Sequence, residues 1–343
     1  MTGSKIRIGI CGLGFGRYGL LPAFRRDPRC EVVAMCGTDQ AKTERYTKEF
    51  GIPRAYGSWQ RLVEDPAVNV IACALPPHVQ PEVAIAGLAA GKPVFAEKPL
   101  AVTVAEAEAM TRAAAGKPAM IDFMFPELDT WQQAKRALDA GAIGRLRHLI
   151  VDWKVQSYDT SRGIQSWKTA MPGGGALRHF GTHALYHCEW FGGEIAQLSG
   201  RLFRAPDQPW STNSLASVAF EFRSGASGVL TMATSTPFGS GQRVELYGTE
   251  GMIRIDNPTP DPIHGFTLTI ARRGQKAIEV ETEPVEQTPG LDSRVRPVSR
   301  LLTRFLDWIE TGREQAPSFA DGLRVQKLVA AIEAADQSAR ATR

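Results

Sequence analysis

The sequence predicts an α/β protein in two unlike parts: a parallel sheet wound with helices on both faces, then a half whose strands suit an antiparallel sheet. Three observations carry this. From Lys5 to about Pro118, short apolar runs alternate with amphipathic stretches, the pattern of βα units whose strands are buried on both faces. Past Ala119 the strand-like stretches lengthen and their connections become rich in Gly and Pro, which suits strands joined by turns. Two amphipathic helices, 298–311 and 319–339, then close the chain.

In the first part, 6–11, 31–36, 68–75 and 92–96 read as buried strands. Each is followed by a segment with helical spacing: 18–26, 41–50, 81–90 and 104–115. Further on, 120–125 reads as a strand and 130–140 as a helix closed by Gly141. Strand-like stretches follow at 146–156, 196–203, 214–222, 226–234, 243–247, 252–255 and 266–272. The change of texture sets the domain boundary near residue 120, giving 1–120 and 121–343.

Composition excludes several classes. A chain of 343 residues with 43% hydrophobic and 22% charged residues is long enough for two globular domains. Disorder, collagen-like repeats and a coiled coil do not describe it. The formal charge of +4, from 40 Lys and Arg against 36 Asp and Glu, is too weak a footprint for nucleic acid or an anionic membrane. The longest apolar stretch, around Val68–Pro77, is far short of the roughly 18 residues a membrane span needs. The strand pattern begins directly after Met1–Ser4, leaving no room for a signal peptide, so a soluble cytoplasmic protein is expected. The five cysteines are odd in number and lack zinc or redox spacing; they read as small hydrophobes.

The first strand runs into Gly12-Leu13-Gly14-Phe15-Gly16-Arg17 with a helix candidate behind it. Gly12 permits the tight turn, Gly14 admits a pyrophosphate, and the helix N-terminus faces the anion. A strict Gly-x-Gly-x-x-Gly pattern wants its third glycine at Arg17, so either Gly16 serves a shorter turn or the pattern shifts to Gly14, Gly16 and Gly19. The second strand ends at Gly37-Thr38, where an NAD enzyme usually carries a carboxylate for the ribose 2′-OH. Asp39 comes two residues late and Lys42 follows, which favours NADP over NAD. Alternatively, Asp39 swings back and binds NAD. Glu97-Lys98-Pro99 follows a fourth strand, at the edge where open α/β sheets place their ligands.

Together with Leu75-Pro76-Pro77, Ala90 to Pro99, Gly141 to Gly144, Gly173 to Leu177, Gly181-Thr182-His183 and Tyr247 to Gly251, these residues resemble the Gfo/Idh/MocA oxidoreductases over nearly the whole chain. The resemblance implies a Rossmann domain, then an α/β domain with a large open, mostly antiparallel sheet whose outer face joins a homo-oligomer, dimer or tetramer. It also implies hydride transfer on sugars, inositols or related polyols. The cofactor contacts it suggests are Gly12, Leu13, Gly14, Phe15, Gly16, Arg17, Gly37, Thr38, Lys42, Leu75, Pro76, Glu97 and Lys98. Lys98 matches the family's active-site lysine and His183 its catalytic histidine.

This sequence departs from the family at His179, where Asp is usual four residues before the histidine. Lys98 as ammonium would polarise a carbonyl and stabilise alkoxide, and His183 would move the proton. Two imidazolium ions near Lys98 disfavour each other, so His179 and His183 are expected to form a coupled pair with at least one member neutral at pH 7. His179 therefore counts among both catalytic and substrate-binding candidates. If a helix runs through them, His179, His183 and His187 share a face. No fourth ligand joins that stripe, so no metal is expected. Trp153, Tyr158, Trp167 and Lys168 fall where the resemblance puts substrate-facing residues, with core packing the alternative for Trp153 and a surface role for Lys168. Rival readings are an NAD-dependent polyol dehydrogenase, a redox-neutral NAD-dependent glycosidase and a non-catalytic NADP-sensing regulator.

Overall fold

The computed structural model describes residues 5–170, 173–208, 212–280 and 290–341; the Met1–Ser4 opening lies outside them. The chain forms two compact units, one made of 1–124 with 288–326 and the other of 125–287 with 327–343. In the first unit, β1 (Ile6–Cys11), β2 (Cys30–Cys36), β3 (Arg54–Tyr56), β4 (Val70–Cys73), β5 (Val94–Ala96) and β6 (Ala119–Ile121) alternate with α1 (Leu21–Phe24), α2 (Gln40–Phe50), α3 (Trp59–Glu64), α4 (Gln80–Ala89) and α5 (Val104–Ala113). The strands are parallel and stand in the order β3-β2-β1-β4-β5-β6. This is the order of a Rossmann sheet, with its switch point between β1 and β4.

Local chemistry explains the helix ends. Asp39 accepts a hydrogen bond from the Lys42 N–H at 3.0 Å and caps α2. At α5, Thr103 and Glu106 bond each other's backbone N–H groups at 3.2 and 2.8 Å, a reciprocal cap of the kind worth about 1 kcal/mol. The expected helix over 18–26 differs: a π turn, Gly16–Leu20, leads into a single α turn. The expected strands over 68–75 and 92–96 shorten to β4 and β5, and β3 and α3 lacked a periodicity strong enough to announce them. Strand register also brings together cysteines that lie far apart in sequence. Cys11 on β1 stands opposite both Cys36 on β2 and Cys73 on β4.

In the second unit, a 3-10 turn (Phe125–Glu127), α6 (Asp129–Asp139), β7 (Leu146–Lys154), α7 (Tyr158–Ser161), a second π turn (Leu177–Gly181) and α8 (Thr182–Gly192) precede β8 (Ile195–Phe203), β9 (Leu215–Phe222), β10 (Ser227–Ala233), β11 (Gly241–Gly248), β12 (Gly251–Asn257), β13 (Thr267–Arg272) and β14 (Ile278–Val280). The strand expected to run to Phe125 stops at Ile121, four residues short of that 3-10 turn. The eight strands form one open sheet in the order β14-β13-β12-β11-β7-β10-β9-β8. Neighbours are antiparallel except β7 and β10, so the sheet is mixed. Hairpin-linked strands alternate buried and open positions, as β9 does from Leu215 to Phe222, which marks a sheet with one covered face.

Two helices follow, α9 (Val295–Thr311) and α10 (Phe319–Ala341). The division into units is not sequential, because α9 belongs to the first unit. Leu301, Leu302 and Phe305 of its apolar face are buried, and the Phe305 ring lies 5.8 Å from that of Phe95 on β5. An amphipathic pattern announces a face to bury, not which sheet it covers, so a single cut near residue 120 misses this return. Among the described residues no helix is long and apolar enough to cross a membrane.

Candidate active site

One group of candidates lies at the carboxyl edge of the parallel sheet. The turn after β1 depends on glycine at two positions. Gly12 has φ of 110°, and a Cβ there would lie 2.2 Å from the Ala74 carbonyl oxygen. A Cβ on Gly16 would lie 2.8 Å from Ile10 Cγ2, so Gly16 is the glycine that lets the helical turn pack against β1. Gly16 belongs to both sequence registers, and a Cβ on Gly19 would lie 2.3 Å from the Phe15 ring. Gly14 has open space where its side chain would be. A turn open at Gly14, closed at Gly12 and Gly16 and set at the switch point fits a dinucleotide pyrophosphate.

Around this turn the structure gathers the other candidates of the first unit. Gly37 and Thr38 follow β2, Leu75 and Pro76 follow β4, and Glu97 and Lys98 follow β5. Lys42 lies in the first turn of α2. The Arg17 guanidinium stacks over the Tyr46 ring at 4.2 Å, and Arg45 lies over the same ring at 5.1 Å. Hydrogen bonding from Arg45, with Arg17 adding to it, holds the half-buried Tyr46 phenol below its ordinary pKa.

Two residues absent from the sequence reading shape this edge. Gln80 is fully buried at the start of α4, and its Nε2 donates to the carbonyls of Glu97, Pro99 and Leu100 at 2.6, 3.1 and 3.1 Å. These bonds hold the backbone on both sides of Lys98. Arg294, just before α9, is held by Asp292 through bonds of 2.8 and 2.7 Å, and its guanidinium lies 4.5 Å over the Phe15 ring. Its position nearly 280 residues beyond the turn left no local signal.

A second group of candidates stands in the other unit. His179 lies in the π turn and His183 at the second residue of α8, so the backbone is helical through both. The His179 ring meets Trp167 at 6.2 Å and Phe180 at 4.5 Å. His183 is buried, edge-on to Phe125 at 5.1 Å. Asn213 ties down the segment ahead of the π turn, accepting from the Ala176 and Leu177 N–H groups at 2.9 and 3.0 Å. Arg178 reaches Glu333 with bonds of 2.8 and 2.7 Å. Trp167 and His179 are thus brought together, and the Lys168 carbonyl accepts from Gly175. Tyr158 is 68% exposed, its ring under Arg162. Trp153 is core, packed on Phe125 and Phe180.

His187 is buried as ordinary helix packing would have it, its ring 4.4 Å from Trp131 and 5.0 Å from Phe125. Neither ring nitrogen finds a hydrogen-bond partner among the described residues, and burial pushes its pKa down to about 3. The unfolded chain, with an ordinary histidine near 6.5, takes up this proton first. Stability is therefore full above about pH 6.5 and declines as pH falls toward 3, by up to about 1.4 kcal/mol per pH unit. Thermal melts of His187→Leu are expected to lose less stability than the parent between those limits. Parallel losses would show that His187 does not supply this slope. Among the described residues, no group of three His, Cys, Asp or Glu is placed to hold a metal.

Comparison with known proteins agrees with this fold. Residues 6–124 match the oxidoreductase family with an NAD-binding Rossmann fold, and residues 131–254 match the GFO/IDH/MocA C-terminal domain. Levoglucosan dehydrogenase of Pseudarthrobacter phenanthrenivorans is 27% identical, covering 96% of this chain and 95% of its own. The scyllo-inositol 2-dehydrogenase (NAD(+)) of Bacillus subtilis is 25% identical over 73% of this chain and 74% of its own. A levoglucosan dehydrogenase solved with NADH and L-sorbose superposes with a TM-score of 0.85 at 22% identity, over 98% of both chains. With a Rossmann unit, a mixed-sheet unit and both matching domains in order, the chain belongs to the Gfo/Idh/MocA family of oxidoreductases.

Proposed function

We propose that this protein transfers hydride between a nicotinamide cofactor and a hydroxyl- or ketone-bearing carbon of a sugar-like or polyol substrate, with NADPH-dependent reduction of a ketosugar as its working direction. The observation that carries the reading is Lys98, presented at the end of β5 in a backbone turn held by Gln80. Relatives named for levoglucosan and scyllo-inositol support the substrate class. The Gly12–Arg17 turn and the ends of β2, β4 and β5 would hold the dinucleotide, which would supply the hydride chemistry.

The chain's own groups do the rest. Lys98 as ammonium donates to the substrate oxygen and stabilises charge that develops there, and such placed donors contribute about 10²–10³ in rate. His183 takes or gives the hydroxyl proton, typically for about 10²–10⁴. His179, beside Trp167, presents an imidazole where the family usually presents Asp. It contacts substrate hydroxyls and forms with His183 a pair with at least one member neutral at pH 7. Trp167 offers an aromatic face to the apolar side of a sugar ring.

The choice of NADP rests on the ribose end. Asp39, the first carboxylate after β2 in sequence, is engaged in capping α2, while Lys42 lies in the first turn of α2 and Arg17 and Arg45 lie over Tyr46 on the same helix. A 2′-phosphate is attracted there and a lone 2′-OH gains little. Cells keep NADPH largely reduced, which sets ketone reduction as the direction. Calorimetric titration is expected to show NADPH binding at least about tenfold tighter than NADH, or about 1.4 kcal/mol, with Lys42→Glu removing most of the difference. Equal or tighter NADH binding would restore Asp39 as the ribose ligand and make NAD-dependent polyol oxidation the better description.

A further inference from the structure

Strands β5 and β6 run side by side with Ala96 opposite Ile121, and the next residue of each is an acid, Glu97 and Asp122. Both backbones are pinned to a neighbouring strand. Asp122 donates its N–H to the Ala96 carbonyl at 2.9 Å, and Glu97 donates to that of Cys73 at 2.8 Å. Asp122 is 3% exposed. Its Oδ1 and the Oε1 of Glu97 are buried, and neither finds a donor among the described residues.

Two ionised carboxylates have nothing to donate. Side by side and buried, they leave both oxygens without a donor and place two like charges together, an arrangement that normally forces one acid to stay protonated. One proton resolves both problems, because it turns one carboxyl into the donor that the other lacks. The charged groups facing the pair are Lys98, which follows β5, and Arg294 from the segment before α9. Arg294 is already committed to Asp292 through two bonds. Burial raises both carboxyls above the usual range, Asp122 well above it with the Glu97 charge adding to the effect, while Lys98 and Arg294 oppose it.

We propose that Glu97 and Asp122 hold one proton in common, and that Asp122 thereby acts as a positioning residue for Lys98. The role assigned to Lys98 rests on the oxidoreductase reading; the shared proton does not. Tied to Asp122, the Glu97 side chain presents one negative charge, rather than two or none, beside the lysine that follows it. Gln80 already fixes the backbone of this turn, so the bond from Asp122 fixes where the Glu97 carboxylate stands beside Lys98. Sequence pattern gives no hint of the pair, because the two acids stand 25 residues apart and meet only through the register of β5 and β6.

Infrared difference spectroscopy on the protein without dinucleotide tests the proton directly. The parent at pH 7 is expected to show a protonated-carboxyl C=O band that loses intensity in both Asp122→Asn and Glu97→Gln, since each leaves a single acid that ionises. An unchanged band in both variants would overturn the shared proton. Kinetics test the positioning role. Asp122→Ala is expected to lower kcat about tenfold with the dinucleotide KM within about threefold, as a displaced reacting group does. Asp122→Asn, which keeps a donor for Glu97, is expected to recover most of that loss, and Asp122→Leu, which fills the space without one, is not. Recovery by Leu equal to that by Asn would reduce Asp122 to a space-filling residue and overturn its role. Dinucleotide binding by the parent is measured alongside by calorimetry. Its absence would overturn the oxidoreductase reading and the role of Lys98, whereas the infrared result speaks to the proton alone.

Discussion

Replacing Lys98 with Met is expected to lower kcat/KM about a thousandfold while dinucleotide affinity changes by less than about tenfold. Methionine keeps the length and apolar stem of lysine and removes only the ammonium. The backbone on either side stays bonded to Gln80 through the Glu97, Pro99 and Leu100 carbonyls, so the turn should hold its shape and the thermal midpoint should move little. Steady-state kinetics with a reducible ketosugar, paired with calorimetric titration of NADPH, separates the two effects. A variant with near-parental kcat/KM would remove Lys98 from the chemistry. A variant that no longer binds dinucleotide would instead make Lys98 chiefly a cofactor ligand.

The second large effect is expected at Gly12. Its φ of 110° is a conformation that side chains resist, and any Cβ would meet the Ala74 carbonyl oxygen at 2.2 Å. That oxygen belongs to backbone tied into the sheet, since the Ala74 N–H donates to the Cys11 carbonyl at 2.8 Å. Neither side can yield cheaply. Gly12→Val should therefore lose about 3 kcal/mol of stability and more than about a hundredfold in dinucleotide affinity. Gly14→Ala is the informative contrast, because nothing stands within 4 Å of the Cβ it would add. It should fold normally, so any binding it loses reports the ligand's approach to that backbone. A Gly12→Val protein that binds NADPH like its parent would show that the cofactor lies elsewhere.

Much of the first unit was legible because its signals are local. An apolar run closed by Gly12-Leu13-Gly14 announces a strand and its turn, and Asp39 or Thr103 announces a helix start through its own backbone bonds. What failed was anything decided at long range. The row formed by Cys36, Cys11 and Cys73, the meeting of Glu97 with Asp122 and the placing of Arg294 over Phe15 all depend on register or on a chain return. The parallel pairing of β7 with β10 was missed for the same reason, since alternation shows that a strand has a covered face but not the direction of its neighbour. In the second unit, the histidine spacing showed that a helix through 179–187 would align those rings, but not that its first turn is a π turn.

That turn has a consequence for chain length. In Leu177–Gly181 the backbone closes with five residues what an α-helix closes with four, so the segment carries one residue more than a regular helix of the same span. Removing that residue would let Ala176 run straight into α8 with ordinary hydrogen bonding. Everything before the deletion, His179 included if it is retained, would then rotate by about 100° about the helix axis relative to His183. A single-residue indel at this place is therefore tolerable to the helix and not to the geometry it displays. Length variation here would mark a change in how the substrate is held.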